Sequence, residues 1–246
     1  LATTLACTRH PANNRDHVGI AAGLLCRHQA RTTGEILSGQ EPVKYPRARL
    51  LLLTKAPDPG QVKTRLIPLL GKDAAAALYS QLVHDCLGMC SRAAVSPVDI
   101  WCSPSSDHPF FQQCKVRYQA TLHTQAPGDL GHRMSEAIRT TLDDADYVVV
   151  IGADCPTLGP ADLVAAFNAL DSGTDVVIGP AEDGGYYLIG MRQHHASLFT
   201  NIPWSTPAVL AVTEGRIQRQ NLHLHTLPLR KDLDTPEDYA VYRGGN

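Results

Sequence analysis

Apolar positions beyond about residue 47 fall into two patterns, short continuous runs and longer stretches with a helical period. Continuous runs are typical of strands in a sheet that is covered on both faces, and the periodic stretches predict helices. Strands are predicted at residues 50–54, 98–102, 116–119, 147–152, 175–179 and 185–190, with an extended segment at 222–229. Helices are predicted at residues 73–92, 130–142, 160–170, 207–220 and 236–242. This alternation indicates a three-layer α/β/α sandwich with a mostly parallel sheet.

The first 46 residues follow neither pattern and are rich in Arg, Thr, Asn and His. An apolar run at residues 18–26 resembles the core of a signal peptide, but Asp16 precedes it and Leu25 is a poor cleavage position. We therefore expect residues 1–46 to be an N-terminal extension, either flexible or folded into a short helix. Residues 47–246 are expected to form one domain.

Composition excludes several classes of function. Among 246 residues, 22 Lys and Arg stand against 24 Asp and Glu, so the chain lacks the positive field of a general nucleic-acid binder. No apolar run approaches the roughly 20 residues that span a bilayer. Seven cysteines without a CxxC pair fit neither a zinc site nor a disulfide scaffold, and we expect buried thiols in a reducing cytoplasm. The sequence is compatible with either a monomer or a homodimer.

The loop after the first predicted strand carries a concentration of positive charge. It reads KAPDPGQVKTRL over residues 55–66 and has neither the Walker A nor the GxGxxG spacing. Gly60 allows a ligand to approach the backbone closely, and Lys55, Lys63 and Arg65 supply cations for phosphate oxygens. A solvated loop with incidental cations is the alternative. Because two prolines stiffen the loop directly after a buried strand, we favour phosphate binding.

Three aspartates predict a metal site. Asp154 follows the most hydrophobic strand, where a carboxylate is costly to bury without a partner, and Mg²⁺ or Mn²⁺ is a natural partner for it. Asp232 and Asp234 are two apart in an extended segment, so their side chains point to one side and repel unless a cation bridges them. Alternatively, Asp154 forms a turn, and Asp234 caps the helix that begins near Pro236, a role for which Thr235 competes.

Two glycine-containing segments are candidates for the walls of a binding site. Gly184 and Gly185 follow Asp183 and allow close contact with a substrate, and either Tyr186 or Tyr187 could stack on its sugar or base. A plain hairpin turn would explain the same residues. Gly128 and Gly131 flank the start of a predicted helix and could line a nucleotide pocket. Four histidines are expected at the surface, namely His194, His195, His223 and His225.

Six segments together resemble the GT-A, Rossmann-like superfamily of nucleotide-diphospho-sugar transferases. In chain order they are KAPDPGQVKTRL, GDLGHRM, IGADCPTLGPADL, VVIGPAEDGGYYLIG, IPWSTPAVL and DLDTPEDY. More narrowly, the chain resembles DUF2064, a family of glycosyltransferase-like proteins associated with radical-SAM and selenoprotein-domain genes. The likeness runs from about residue 47 to residue 242, and residues 1–46 lie outside it.

The resemblance implies a Mg²⁺- or Mn²⁺-dependent transferase that takes a nucleotide-diphosphate donor, most simply an NDP-sugar, and a small-molecule acceptor. It implies metal binding by Asp154, Asp232 and Asp234. The nucleotide site would comprise Lys55, Pro57, Gly60, Lys63, Thr64, Arg65, Gly128, Gly131 and Asp154. Substrate binding would involve Gly184, Gly185, Tyr186 and Trp204. Asp183 would contact or deprotonate the acceptor, while Lys63 and Arg65 would stabilise the leaving group.

Two other functions stay open. The same skeleton resembles 2-phospholactate guanylyltransferases and molybdenum-cofactor nucleotidyltransferases, which implies nucleotidyl transfer with release of pyrophosphate. The chain departs from the guanylyltransferase pattern, because residues 183–187 replace a Gly-Thr-Asn stretch, and it lacks the GGxGxR motif of sugar-nucleotide pyrophosphorylases. The last alternative is a relative that binds a nucleotide or a partner without turnover, since one fold hosts several reactions.

Overall fold

The computed structural model describes residues 43–244, which form a seven-stranded sheet with helices on both faces. The strands are β1 Ala48–Lys55, β2 Val98–Ser103, β3 Thr121–Thr124, β4 Tyr147–Ile151, β5 Val176–Pro180, β6 Tyr186–Met191 and β7 Leu224–Thr226. Their order across the sheet is β3-β2-β1-β4-β6-β5-β7. Within residues 43–244, β6 is antiparallel to its neighbours β4 and β5, and the other pairings are parallel. The predicted mostly parallel sheet is confirmed.

The helices form the two outer layers. They are α1 Ile67–Leu70, α2 Lys72–Ala93, α3 Pro109–Tyr118, α4 Leu130–Thr141, α5 Pro160–Asp171, α6 Val209–Arg219 and α7 Pro236–Gly244, with 3₁₀ turns at Thr64–Leu66 and Ala196–Leu198. Successive β1 residues face opposite layers, as strand geometry requires. Leu50 and Leu52 pack in one core with residues of α2, α3 and α5, whereas Leu51 packs in another with residues of α4 and α6. None of the described helices has both the length and the apolar character needed to cross a membrane.

The predicted third strand at residues 116–119 is wrong, because this stretch belongs mainly to helix α3. Pro109 begins the helix, and the His108 ring accepts a hydrogen bond from the backbone N–H of Phe110 at 3.2 Å. Phe111 is buried on the sheet side, whereas Val116 is 81% exposed. Val116 therefore contributes no strand to the core, and the third strand begins only at Thr121.

The predicted N-terminal extension lies outside the described residues up to position 42. Residues 43–46, the last of this extension, are described, and among them Tyr45 is buried and stacks on Phe167 with ring centroids 5.7 Å apart. The domain core therefore begins slightly before residue 47. The five described cysteines are free thiols, four of them buried and Cys86 partly exposed. Cys7 and Cys26 lie outside the described residues.

The strand order identifies where a ligand would bind. β1 and β4 lie side by side, with β2 and β3 beyond β1 and with β6, β5 and β7 beyond β4. In open α/β sheets, ligands bind beyond the carboxyl ends of the strands where the connections change direction. The basic loop follows β1 at this point, and Asp154 comes three residues after the end of β4. The fold thus brings two of the predicted site segments to one edge of the sheet.

Candidate functional site

The loop that follows β1 turns its charged side chains in opposite directions. Val62 and Leu66 are buried and fix the loop to the core. Between them, Lys63 adopts a left-handed backbone with φ of +46° and leads into the 3₁₀ turn. The Lys63 side chain is 3% exposed, whereas that of Arg65 is 69% exposed. The loop therefore sends one cation inward and one outward.

The inward ammonium of Lys63 is held by three oxygens. It donates to the Leu233 carbonyl at 2.6 Å and to Asp234 Oδ1 at 3.0 Å, and it lies 2.5 Å from Asp154 Oδ1. Burial alone would lower the pKa of Lys63. The charges and hydrogen bonds of the two aspartates outweigh burial and raise that pKa instead, so the side chain stays cationic. Lys63 thus joins the β1 loop, the end of β4 and the C-terminal segment.

The backbone and a helix cap position the C-terminal segment. The Leu233 N–H donates to the Asp154 carbonyl at 2.8 Å, which places this segment beside the end of β4. Asp238 accepts hydrogen bonds from the backbone N–H of Thr235 at 2.8 Å and of Asp234 at 3.1 Å, and Thr235 Oγ1 accepts one from the Asp238 N–H. Burial alone would raise the pKa of Asp238, but Lys231 and these N–H groups lower it to about 2. Because Thr235 and Asp238 share the cap, the Asp234 carboxylate is left to pair with Lys63.

Asp232 lies in the same group of acids. Its Oδ1 is buried and has no hydrogen-bond partner within residues 43–244. The pKa of Asp232 is raised to about 7, and burial is the largest cause. Three carboxylates add to the shift, those of Asp154, Asp234 and Asp183. The aspartates that the sequence singled out are therefore close enough to repel one another, and Asp183 belongs to the same acidic group.

These aspartates do not yet form a metal-binding geometry. Within residues 43–244, no three His, Cys, Asp or Glu side chains are arranged to hold a metal ion as they stand. The cation between Asp154 and Asp234 is the Lys63 ammonium. The unpartnered Asp232 Oδ1 is nevertheless a buried carboxylate oxygen, the ligand type that Mg²⁺ and Mn²⁺ prefer. The donor set therefore fits a divalent cation.

A cleft of about 490 Å³ opens on one side of the aspartates. We call it the acidic cleft. Its charged lining consists of Asp154, Asp183, Asp232, Asp234 and Arg65. The rest of its lining is largely apolar and aromatic and includes Leu130, Met134, Tyr186, Trp204 and Val209, which we call the aromatic wall. The cleft can therefore bind a small molecule through its carboxylates and the aromatic wall.

A second cavity, of about 480 Å³, lies on the other side and is called the basic cavity. Its cations are Lys55, Lys63, Arg65 and Arg133. Arg133 was not among the predicted site residues, although it lies in the GDLGHRM segment, in the first turn of α4. Gln125 was missed as well; its amide donates to the carbonyls of Thr54 at 3.0 Å and Trp101 at 2.7 Å. The two cavities share six lining residues: Leu53, Arg65, Leu130, Asp154, Ser205 and Asp234.

Glycines allow the close packing behind the aromatic wall. A Cβ on Gly131 would lie 2.4 Å from Trp204 Nε1, so only glycine accommodates the indole there. Tyr186 packs edge-to-face on Trp204 with ring centroids 6.3 Å apart. Gly184 has φ of +85°, and a Cβ there would lie 2.3 Å from the Pro207 carbonyl oxygen. These glycines shape the acidic cleft by backbone approach.

The predicted site residues are thus divided between the two cavities. Lys55, Lys63 and Thr64 line the basic cavity, and Asp183, Gly185, Tyr186, Trp204 and Asp232 line the acidic cleft. Arg65, Asp154 and Asp234 line both. In the described chain, Pro57, Gly60, Gly128, Gly131 and Gly184 lie outside both linings. Of the four histidines expected at the surface, His223 and His225 are exposed, whereas His194 and His195 are partly buried, and His194 hydrogen-bonds Ser135 Oγ at 2.8 Å.

Comparison with known proteins identifies the family. The sequence matches the family described as "Uncharacterized protein conserved in bacteria (DUF2064)" over residues 86–206. A solved structure from Desulfovibrio desulfuricans G20, provisionally called a nucleotide-diphospho-sugar transferase, is 35% identical with a TM-score of 0.75. That similarity covers 82% of this chain and 88% of the other. The chain belongs to the DUF2064 family.

Other relatives of this DUF2064 protein are transferases. It is 29% identical over 138 residues to 2-phospho-L-lactate guanylyltransferase of Methanothermobacter thermautotrophicus strain Delta H. The match spans 55% of this chain and 59% of that enzyme. A 4-diphosphocytidyl-2C-methyl-D-erythritol synthase from Anaerococcus prevotii has a TM-score of 0.56 at 8% identity, covering 81% of this chain and 96% of that one. At that identity the likeness shows the fold alone.

Proposed function

We propose that this DUF2064 protein is a glycosyltransferase that moves a sugar from an NDP-sugar to a small acceptor, with Mg²⁺ or Mn²⁺ at the aspartate group. The observation that carries the proposal is the meeting of the basic cavity and the acidic cleft at Arg65, Asp154 and Asp234. A donor whose diphosphate lies in the basic cavity would present its sugar to the acidic cleft. Transfer requires two bound substrates in contact, which this arrangement permits.

The donor diphosphate would be bound by the cations of the basic cavity. Arg65 and Arg133 would each offer paired N–H groups to phosphate oxygens, and Lys55 would add a point charge. Lys63 would not bind the phosphates directly, because its ammonium is already paired with Asp154 and Asp234. It would hold these two carboxylates together and add positive charge beside the leaving group.

In the proposed reaction, an acceptor hydroxyl oxygen forms a bond to the anomeric carbon of the donor sugar. The bond between that carbon and the diphosphate oxygen breaks, and its electron pair leaves with the NDP. Asp183, an exposed carboxylate on the lining of the acidic cleft, would take the hydroxyl proton. Arg65 and Lys55 would stabilise the negative charge on the departing diphosphate.

The metal part of the proposal rests on the aspartates. Asp154, Asp232 and Asp234 would hold the cation through carboxylate oxygens, and the unpartnered Oδ1 of Asp232 supports this assignment. When bound, a divalent cation supplies charge neutralisation to a diphosphate leaving group.

The test distinguishes the reactions by their products. The protein is incubated with NDP-sugars and a mixture of small acceptors, and separately with NTPs and phosphorylated acceptors, each with Mn²⁺, Mg²⁺ or EDTA. NDP release that requires the metal supports glycosyl transfer, and pyrophosphate release contradicts it. Arg65→Ala should weaken NDP binding about tenfold, since one charge-assisted contact is lost. Arg117→Ala, an exposed arginine on α3, is the matched control and should bind NDP normally.

Nucleotidyl transfer is the second candidate function. The observation that favours it is the 29% identity to 2-phospho-L-lactate guanylyltransferase. Its signature would be pyrophosphate released from an NTP together with a phosphorylated acceptor. Nucleotide binding without either product would instead identify a binding protein.

A further inference from the structure

The side chains that line the two cavities have net charges of opposite sign. The basic cavity has four cations, Lys55, Lys63, Arg65 and Arg133, against the two carboxylates that it shares with the cleft. The acidic cleft has four carboxylates against one guanidinium, that of Arg65, among the described residues. If Lys63 is counted as well, carboxylates still outnumber cations in the cleft by two. The two cavities therefore suit ligands of opposite charge.

Lys63 has no N–H to spare for a second phosphate, and in the proposed reaction Arg65 would be engaged by the donor diphosphate. An ammonium has three N–H bonds, and Lys63 directs its own toward the Leu233 carbonyl, Asp154 and Asp234. Arg65 lines both cavities and would be occupied by the donor diphosphate. A divalent cation at the aspartates would be balanced by the same diphosphate. The acceptor side therefore keeps its negative surplus during the reaction.

We propose that the acceptor is a small alcohol that carries no phosphate group and is either neutral or made cationic by an ammonium group elsewhere in the molecule; this rests on the proposed glycosyl transfer. A phosphate monoester carries about −1.5 to −2 charges at neutral pH, and the carboxylates of the cleft repel it. A neutral hydroxyl can donate a hydrogen bond to Asp183, and a protonated amine is attracted to the same group. Tyr186 and Trp204 supply an aromatic wall for the carbon skeleton of an acceptor or for a cationic group.

Transfer assays with matched acceptor pairs test this class. Each pair is an acceptor and a phosphate ester of it that keeps a free hydroxyl: glycerol and glycerol 3-phosphate, and glucosamine and glucosamine 6-phosphate. With the NDP-sugar that gives NDP release, the unphosphorylated member of every active pair should react roughly tenfold faster or more, as charge repulsion of this kind predicts. Preference for the phosphorylated member of an active pair overturns the proposal.

A binding experiment tests the same point without an acceptor of known identity. The protein is saturated with NDP and Mn²⁺ is omitted, and inorganic phosphate is titrated while its ³¹P resonance is followed. We expect the wild type to bind phosphate no more tightly than the upper limit of the titration, and Asp183→Asn to bind it at least roughly threefold more tightly than that limit. Glu182→Gln removes a neighbouring exposed carboxylate that does not line the cleft, and it should behave as the wild type.

The possible failures are distinguishable. Phosphate binding by the NDP-saturated wild type, abolished by Trp204→Ala, would place an anion in the acidic cleft and overturn the acceptor class while leaving glycosyl transfer intact. A protein that binds no NDP, or that releases pyrophosphate, refutes the proposed function itself.

Discussion

The basic cavity and the acidic cleft are of similar size and share a boundary, yet their charges are opposite. The difference cannot be read from composition, because the whole chain has a net charge of only −2. It arises from the direction in which a few backbone segments turn their side chains. A site of mixed charge can therefore be built in a nearly neutral protein by local geometry alone.

Lys63 and Arg65 illustrate this difference at the boundary. From the sequence, both residues are predicted to bind phosphate through their positive charge. In the structure, the left-handed backbone of Lys63 directs its ammonium into the aspartates, while Arg65 points outward and only approaches Asp234 at 4.0 Å. Two residues of one loop thus differ in their surroundings: Lys63 holds the acidic group together, and Arg65 lines both cavities.

The largest predicted effect is the loss of Lys63. Lys63→Met leaves Asp154 and Asp234 without their shared cation, and the free energy of unfolding should fall by about 3 kcal/mol, the low end for broken buried pairs because both carboxylates are partly exposed. Arg65→Met should cost under about 0.5 kcal/mol, as expected for an exposed charge. Urea denaturation at pH 7 measures both. Equal losses for the two variants would show that the contrast in burial has no energetic consequence.

A second effect concerns the pH dependence of stability and arises from Asp232. Its pKa of about 7 in the folded protein exceeds the roughly 3.9 of an unfolded chain, so the folded state binds more protons between these values. Stability should therefore fall as pH rises from 4 to 7 and then level off. Asp232→Asn removes the ionisation, which costs about 4 kcal/mol at pH 8 by this pKa difference. Because the buried amide that replaces it also lacks a partner, at a cost of about 2 kcal/mol, we expect a net stabilisation of about 2 kcal/mol at pH 8 that disappears at pH 4.

Urea denaturation in EDTA at pH 4, 5.5, 7 and 8 measures this dependence without metal ions. Glu182→Gln, which removes an exposed carboxylate, is the control and should run parallel to the wild type. If Asp232→Asn also runs parallel to the wild type, Asp232 ionises normally and the acidic group is less crowded than described.

The sequence predicts most of the sheet because the buried strands are marked by continuous apolar runs. β1 and β4 are such runs, and their observed bounds differ from the prediction by no more than two residues. The error at residues 116–119 has a clear cause: a short β-branched and aromatic stretch can end a helix as well as form a strand. His108 and Pro109, a cap followed by proline, are the local signal that identifies the helix.

The candidate site is predicted less completely, because side-chain direction and pairing are tertiary properties. The three metal-ligand candidates are named from sequence, but nothing local reveals that Lys63 lies between two of them. The question of whether Asp234 caps α7 could be answered locally, since Thr235 and Asp238 have the spacing of a capping box. Gln125 has no such signal: its position depends on β3 pairing with β2 beside β1.

The smallest predicted effect compares two glycines, Gly131 beside Trp204 and Gly60 in the loop after β1. Gly131→Ala gains helix propensity, but its new methyl group would lie 2.4 Å from Trp204 Nε1 and 2.5 Å from the Phe199 carbonyl oxygen. We expect a net loss of about 1 kcal/mol, because overpacking outweighs propensity, and a shift in Trp204 fluorescence. Gly60→Ala has φ of +86° but no neighbour within 4 Å in the described chain, so it should cost about 0.5 to 1 kcal/mol and leave the tryptophan emission unchanged. If Gly131→Ala proves stabilising with unaltered fluorescence, the indole is free to move, and the aromatic wall of the acidic cleft is not the fixed surface on which the acceptor assignment depends.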